Sequence, residues 1–162
     1  QTDVLGNEYG SFSPNEYAIQ VGIAKTYLEN FHFGTQIKFI QSNYGLYRSN
    51  GIAMDVGVRY LSPNNLSQWS LLLQNVGTQI KYFQEKEELP LNLILGWSKK
   101  LANAPLQFSV TAERLSVWKD NYYDLDFYNT EGYKKPGSLQ NVFNHLVLGS
   151  QLYIGQNFEL DL

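Results

Sequence analysis

The sequence predicts an all-β chain folded as an antiparallel up-and-down transmembrane β-barrel, here an incomplete barrel of about eight strands. Three observations predict it. Apolar residues recur at every second position in one segment after another, which is the strand period. Short and long connections alternate along the chain, as they do between the two rims of a membrane barrel. Aromatic residues gather on the apolar face beside the short connections.

Composition narrows the field first. The 162 residues carry 12 Lys and Arg against 15 Asp and Glu, a net charge of -3, so a basic nucleic-acid-binding surface is not expected. Charged residues are 17% of the chain, below the roughly 25% of an ordinary soluble domain, while aromatics reach 15% with 12 Tyr. The absence of Cys excludes disulfide frameworks, zinc knuckles and thiol nucleophiles. No stretch reaches the ~18 apolar residues of a membrane helix, so any spanning must be done by strands. Only six Ala stand against 13 Gly and 15 Asn, a balance that favours strands and turns over helices. No signal peptide is readable behind Gln1, and the whole of 1–162 reads as one domain.

The elements follow in order. In the first strand Tyr17, Ile19, Val21 and Ile23 oppose Ala18, Gln20, Gly22 and Ala24. The second sets Phe31, Phe33, Ile37 and Phe39 against His32, Gly34, Gln36 and Lys38. The third sets Ile52, Met54, Val56, Val58 and Tyr60 against Gly51, Ala53, Asp55, Gly57 and Arg59. Leu72 blurs the fourth, which is Trp69, Leu71 and Leu73. Leu91, Leu93, Leu95 and Trp97 mark the fifth, and Leu106, Phe108, Val110 and Ala112 the sixth. Leu146, Leu148, Leu152 and Ile154 mark the seventh, and Phe158, Leu160 and Leu162 begin an eighth. The one helix-period stretch runs around Ser138 to His145.

Tight turns are expected at Glu29-Asn30, Pro63-Asn64-Asn65, Leu101 to Asn103 and Gly155-Gln156-Asn157. Long connections are expected at Asn43 to Asn50, Gly77 to Leu89 and Ser116 to about Asn141. With the long connections external, strand one runs inward and strand eight outward. Bacterial barrels begin and end in the periplasm, so the chain is expected to be an interior piece of a larger barrel, truncated at both ends. Tyr27, Phe31, Tyr60, Trp69, Trp97 and Phe158 make an inner aromatic girdle, and Tyr17, Tyr44, Tyr47 and Trp118 a less regular outer one. Lys25 falls on the apolar face, near enough to the inner rim to snorkel. A two-sheet soluble sandwich also alternates. Two features favour the barrel over it: the loop asymmetry, and a polar face rich in Gly and Ala rather than Lys and Glu.

No chemistry-bearing constellation stands out. His32 and His145 have no second ligand at metal spacing, and Asp120, Asp124 and Asp126 lack the EF-hand pattern and its Gly. Ser42, Ser98 and Ser109 sit on polar-face positions without an ordered partner or a G-x-S-x-G setting. The run Glu85-Lys86-Glu87-Glu88 reads as a wet loop. On the polar face, antiparallel pairing places Lys38 roughly opposite Asp55 with Arg59 nearer the inner rim, so Lys38 and Asp55 are expected to pair in the lumen.

The run Asn75-Val76-Gly77-Thr78-Gln79-Ile80-Lys81, followed by Leu89-Pro90-Leu91 and Leu95-Gly96-Trp97-Ser98-Lys99, is similar to the PorQ family of type IX secretion system outer-membrane proteins. Ala104-Pro105-Leu106 and Leu115 to Trp118 continue the resemblance. So do Gly10-Ser11-Phe12-Ser13, Asn15-Glu16-Tyr17-Ala18, Lys38-Phe39-Ile40, Ser42-Asn43-Tyr44 and His145-Leu146-Val147-Leu148-Gly149. It covers nearly all of the chain except Tyr122 to Lys135. That family resembles the PorV and FadL-like fatty-acid transporter barrels in fold. The resemblance implies an outer-membrane location and a non-enzymatic role without a cofactor. It implies membership of an attachment complex that anchors secreted cargo to surface lipopolysaccharide, with the barrel as membrane platform and the sortase-like activity in a partner. Implied partners are the other attachment-complex proteins, outer-membrane lipid and lipopolysaccharide. The chain departs from the family in lacking the amino-terminal plug region and the closing strands. The FadL relation supplies the alternative, a channel for hydrophobic small molecules. The candidate partner-binding loop carries Trp118, Tyr122, Tyr123, Phe127, Tyr128 and Tyr133, because aromatics are enriched where partners bind and external loops are where partners reach.

Overall fold

A computed structural model describes residues 13–45, 47–82, 85–117, 137–155 and 158–161. The described residues form β1 (Asn15–Tyr27), β2 (Phe31–Tyr44), β3 (Tyr47–Leu61), β4 (Ser67–Lys81), β5 (Asn92–Lys100), β6 (Leu106–Ala112), the helix α1 (Ser138–Asn144), β7 (Leu146–Ile154) and β8 (Phe158–Asp161). All eight strands belong to one sheet, each antiparallel to the next and in chain order. The all-β, up-and-down reading of the alternation therefore holds, and the helix among the described residues falls where the helical period placed it.

Which face is occluded is the informative property of this sheet. On β3, Gly51, Ala53 and Asp55 are buried while Ile52, Met54 and Val56 between them are exposed. Ala53 keeps 2% of its surface and Asp55 4%, whereas Ile37, on the apolar face of the neighbouring interior strand, keeps 55%. An antiparallel sheet in water does the reverse, turning its apolar face inward. Ile19, Val56, Leu71, Leu95 and Phe108 are exposed as well, so the apolar face extends from β1 to β6 with no second sheet laid over it among the described residues.

Two connections differ from the sequence reading. Asn43 to Asn50 is not a long loop: β2 and β3 pair out to Asn43↔Arg48 and Tyr44↔Tyr47, and Gly45, directly after the last β2 residue, has φ 61°. Likewise β4 continues to Lys81, so the β4–β5 connection starts after the expected Gly77. The strict alternation of short and long connections is lost at β2–β3, because backbone pairing continues where side chains are polar on both faces. The β4–β5 and β6–β7 connections remain long. The opposite rim keeps its tight turns. Leu28 and Glu29 adopt left-handed φ of 50° and 57°, and Asn30 holds this turn by donating from Nδ2 to the Leu61 carbonyl at 2.7 Å while accepting the Leu61 N–H at 2.9 Å.

β4 contains the main irregularity. Leu73 pairs with Val56 but Val76 pairs with Met54, so Gln74 and Asn75 together oppose Asp55. This is a β-bulge, and Asn75 takes the left-handed φ of 60° there. The extra residue reverses parity, returning Val76 and Thr78 to the face of Val56 and Met54 after Trp69, Leu71 and Leu73. Leu72, which blurs the alternation, lies on the polar face, where its Cδ1 is 3.3 Å from where a Cβ on Gly57 would stand. Just past the bulge, a Cβ on Gly77 would lie 2.0 Å from the Ile52 carbonyl oxygen and 2.6 Å from Ala53 Cα. Backbone cannot yield as a flexible side chain would. Gly77→Ala is expected to destabilise the sheet by roughly 2 kcal/mol or more, while Gly34→Ala, whose nearest neighbour would be 3.8 Å away, is expected to be nearly neutral. Urea titration followed by tryptophan fluorescence compares the two.

Candidate functional site

The polar face concentrates its hydrogen bonding around Asp55. Its carboxylate is reached by three donors: Lys38 Nζ at 2.7 Å on Oδ1, the Asn75 backbone N–H at 2.9 Å on the same oxygen, and Gln36 Nε2 at 2.6 Å on Oδ2. Lys38 Nζ also donates to Asn75 Oδ1 at 2.6 Å, and Thr35 Oγ1 donates to the Asp55 carbonyl at 3.0 Å. The expected Lys38–Asp55 pair is thus present, but in a different register: Lys38 stands opposite Ala53, and Asp55 opposite Gln36. The ammonium reaches diagonally, a distance long side chains span readily. Arg59, grouped with the pair from the sequence, lies outside it, in the row His32–Arg59–Ser70 toward the tight-turn rim.

The bulge explains why the cluster forms there. By opposing two β4 residues to one on β3, it turns a backbone N–H toward the carboxylate in place of a ladder carbonyl. It also places the Asn75 amide between Lys38 and the β4–β5 connection, to which Asn75 Nδ2 donates at the Pro90 carbonyl, 3.0 Å away. The connection is held elsewhere too: the Glu87 N–H donates to Gln79 Oε1 at 2.8 Å, and Ser116 Oγ donates to the Leu91 carbonyl at 2.6 Å. The cluster thus joins β2, β3, the β4 bulge and a rim connection. Its arrangement is architectural: every group of the cluster is engaged, and it contains no unengaged nucleophile or base.

The two histidines take different roles. His145, at the carboxyl end of α1, is buried, and its Nδ1 lies 2.8 Å from the Glu113 carbonyl while its own carbonyl accepts the Glu113 N–H. His32 Nδ1 lies 3.0 Å from Thr26 Oγ1 and its Nε2 is shielded without a partner among the described residues. Among the described residues no group of three His, Asp or Glu side chains is placed to hold a metal ion. Asp120, Asp124 and Asp126, with the proposed partner-binding residues Trp118, Tyr122, Tyr123, Phe127, Tyr128 and Tyr133, lie outside the described residues.

The inner girdle is where the sequence reading and the register meet most closely. Tyr27 pairs with Phe31, Phe31 with Tyr60, Tyr60 with Trp69 and Trp69 with Trp97, one continuous row of aromatics across β1 to β5 on the apolar face. Ring centroids are 4.9 Å apart for Phe31 and Tyr60 and 6.0 Å apart for Trp69 and Trp97, distances at which tilted rings attract. The row passes to Val110 on β6, and Phe158 stands apart, paired with Ile154 beside the β7–β8 turn. At the other rim, Tyr17 OH donates to Gln41 Oε1 at 2.5 Å, and Tyr44 and Tyr47 face each other across the hairpin.

Two grooves lie on the polar face. One of about 680 Å³ runs over Gly22, Ala24, Gly34 and Gly57 between His32, Arg59 and Leu72. The other, about 380 Å³, is lined mainly by amides and hydroxyls of β4 to β7, with Asp161 of β8. No protein-family model matches the chain, and no curated protein matches it.

The sequence reading missed the bulge, although it carries a signal: the apolar spacing lengthens from two to three between Leu73 and Val76. Removing one partner of a buried pair strands the other charge, at a cost of roughly 3–5 kcal/mol, whereas replacing both with apolar groups is often close to neutral. Asp55→Ala is therefore expected to be strongly destabilising, and Lys38→Met with Asp55→Leu much less so than the sum of the single changes. A double-mutant cycle by urea unfolding measures this, and additive effects would show that the pair is energetically idle.

Proposed function

We propose that the sheet is part of an outer-membrane β-barrel whose apolar face meets lipid. The observation that carries this reading is the reversed burial: small and polar side chains on the occluded face, Ile, Val and Leu on the open one. A continuous apolar face on a water-exposed sheet would be an aggregation hazard, whereas in a bilayer it is the stabilising surface. Strands β1 to β4, of 13 to 15 residues, exceed the ~10 residues a tilted strand needs to cross the hydrocarbon. The row Tyr27–Phe31–Tyr60–Trp69–Trp97 supports it further, lying one to four residues from the tight turns, at the level where headgroups begin. Closure of the barrel is part of this proposal, since both edges of a spanning sheet need partners.

Within that setting we read the chain as a PorQ-like, non-enzymatic platform of the type IX secretion attachment complex, working with other proteins of that complex and with lipopolysaccharide. The support is the resemblance, and its motif residues coincide with the devices that shape this sheet. Asn75-Val76-Gly77 is the bulge and its close approach, and Leu95-Gly96-Trp97 carries the aromatic row. The engaged Asp55 cluster fits a scaffold better than a reaction centre. A second reading, a FadL-like channel for hydrophobic small molecules, is favoured by one observation, the larger groove with Leu72 and a floor of Gly and Ala.

Three measurements bear on this. With Trp118→Phe in the full-length protein, Trp69 and Trp97 in lipid vesicles are expected to be quenched more by a nitroxide near the headgroup than by one deep in the acyl chains. Quenching by aqueous acrylamide alone would remove the membrane reading. Co-purification with the other attachment-complex proteins favours the platform. Saturable binding of a labelled fatty acid, abolished by Gly57→Leu in the larger groove, would favour the channel instead.

A further inference from the structure

We propose that the smaller groove on the polar face binds an uncharged, polyhydroxylated ligand of monosaccharide to disaccharide size. Gln68, Ser70, Ser98, Ser109 and Thr111 line it, and none of these five side chains hydrogen-bonds any described residue. This contrasts with β2 to β4, where Lys38, Gln36, Asp55 and Asn75 satisfy one another. Polar capacity that the protein leaves unengaged across three adjacent strands is available either to water or to a ligand.

The register sets these groups in a grid. Gln68 pairs with Ser98 and Ser98 with Ser109, while Ser70 pairs with Gly96 and Gly96 with Thr111. Neighbouring strands are ~4.8 Å apart and alternate residues on one face ~7 Å apart, so the hydroxyls and the amide spread over an area comparable with a sugar ring. Gly96 keeps the floor open: a Cβ there would stand 2.5 Å from Ser70 Oγ. Gly149, the register partner of Ser109, also lines the groove. At about 380 Å³ the groove is at the small end of ligand sites.

Its charge selects the class. No Lys, Arg or His lines it, and Asp161 at its edge is the one charged lining residue. An anion would find no counter-charge, and an apolar ligand would bury hydroxyls and amides without partners, which is unfavourable for each group. Hydroxyls and carboxamides both donate and accept, which matches a ligand whose groups do the same. Along one edge Gln107 Nε2 donates to Gln151 Oε1 at 2.8 Å and Tyr153 OH donates to Gln107 Oε1 at 3.2 Å, fixing the amides that border the groove.

The test uses the full-length protein in detergent micelles, with methyl α-D-glucopyranoside as probe and saturation-transfer NMR as readout. Saturable transfer is expected, weakened about tenfold in Ser98→Ala/Ser109→Ala, as for two lost neutral hydrogen bonds. Ser42→Ala, a polar-face change outside the groove, is expected to leave it unaltered, and acetate is expected to show no saturable transfer. Absence of transfer to the glucoside, or transfer that the double substitution does not weaken, would overturn the proposal and assign the hydroxyls to water. The outcome is independent of the secretion reading, which the co-purification experiment addresses separately.

Discussion

A strand offers its side chains only two faces, and in this sheet the face that loses contact with solvent is the polar one. That constraint shapes the rest. A side occluded while carrying Asp55 must satisfy the carboxylate within the protein, since an unpaired buried charge is costly. Three donors from two strands, β2 and β4, do so, and one is available only because β4 bulges at Asn75. The bulge in turn restores parity for the outer half of β4. Without it, Asn75, Gly77 and Gln79 would stand on the apolar face and Val76, Thr78 and Ile80 on the polar one. Electrostatic satisfaction and the continuity of the apolar surface therefore rest on a single extra residue.

Small residues act in concert with this arrangement. Gly57 makes room for Leu72, and Gly77 allows two backbones to approach where the bulge ends. These positions lie on the polar side, where large side chains would crowd one another. The apolar side carries most of the bulk, culminating in the aromatic row from Tyr27 to Trp97. The two faces thus differ in size as well as in polarity.

Much of this was legible in the sequence. Alternation identified the strands and their faces, the girdle residues Tyr27, Phe31, Tyr60, Trp69 and Trp97 proved to be register neighbours, and Lys38 met Asp55. Strand ends were less legible, because the sequence signals strands through apolar side chains while the ladder is made of backbone. Gln41-Ser42-Asn43 and Arg48-Ser49-Asn50 look like loop and yet pair fully. The turn at Leu28-Glu29 adopts left-handed backbone without Gly or Asn at either position, held from outside by Asn30 and Leu61. The diagonal contact of Lys38 depends on a two-residue choice of register that alternation, which fixes only the face, leaves open.

The meander order has a kinetic implication. Because each strand meets only its predecessor and successor, most pairings close loops of a few residues, and the sheet can zip hairpin by hairpin without waiting for distant segments. The exception is β6 with β7, whose strands are separated by residues 113–145. Closure entropy grows by only ~0.6 kcal/mol per doubling of loop length, yet this step has the longest chain to gather. Assembly of the sheet therefore divides naturally into an early unit, β1 to β6, and a later addition at its far edge.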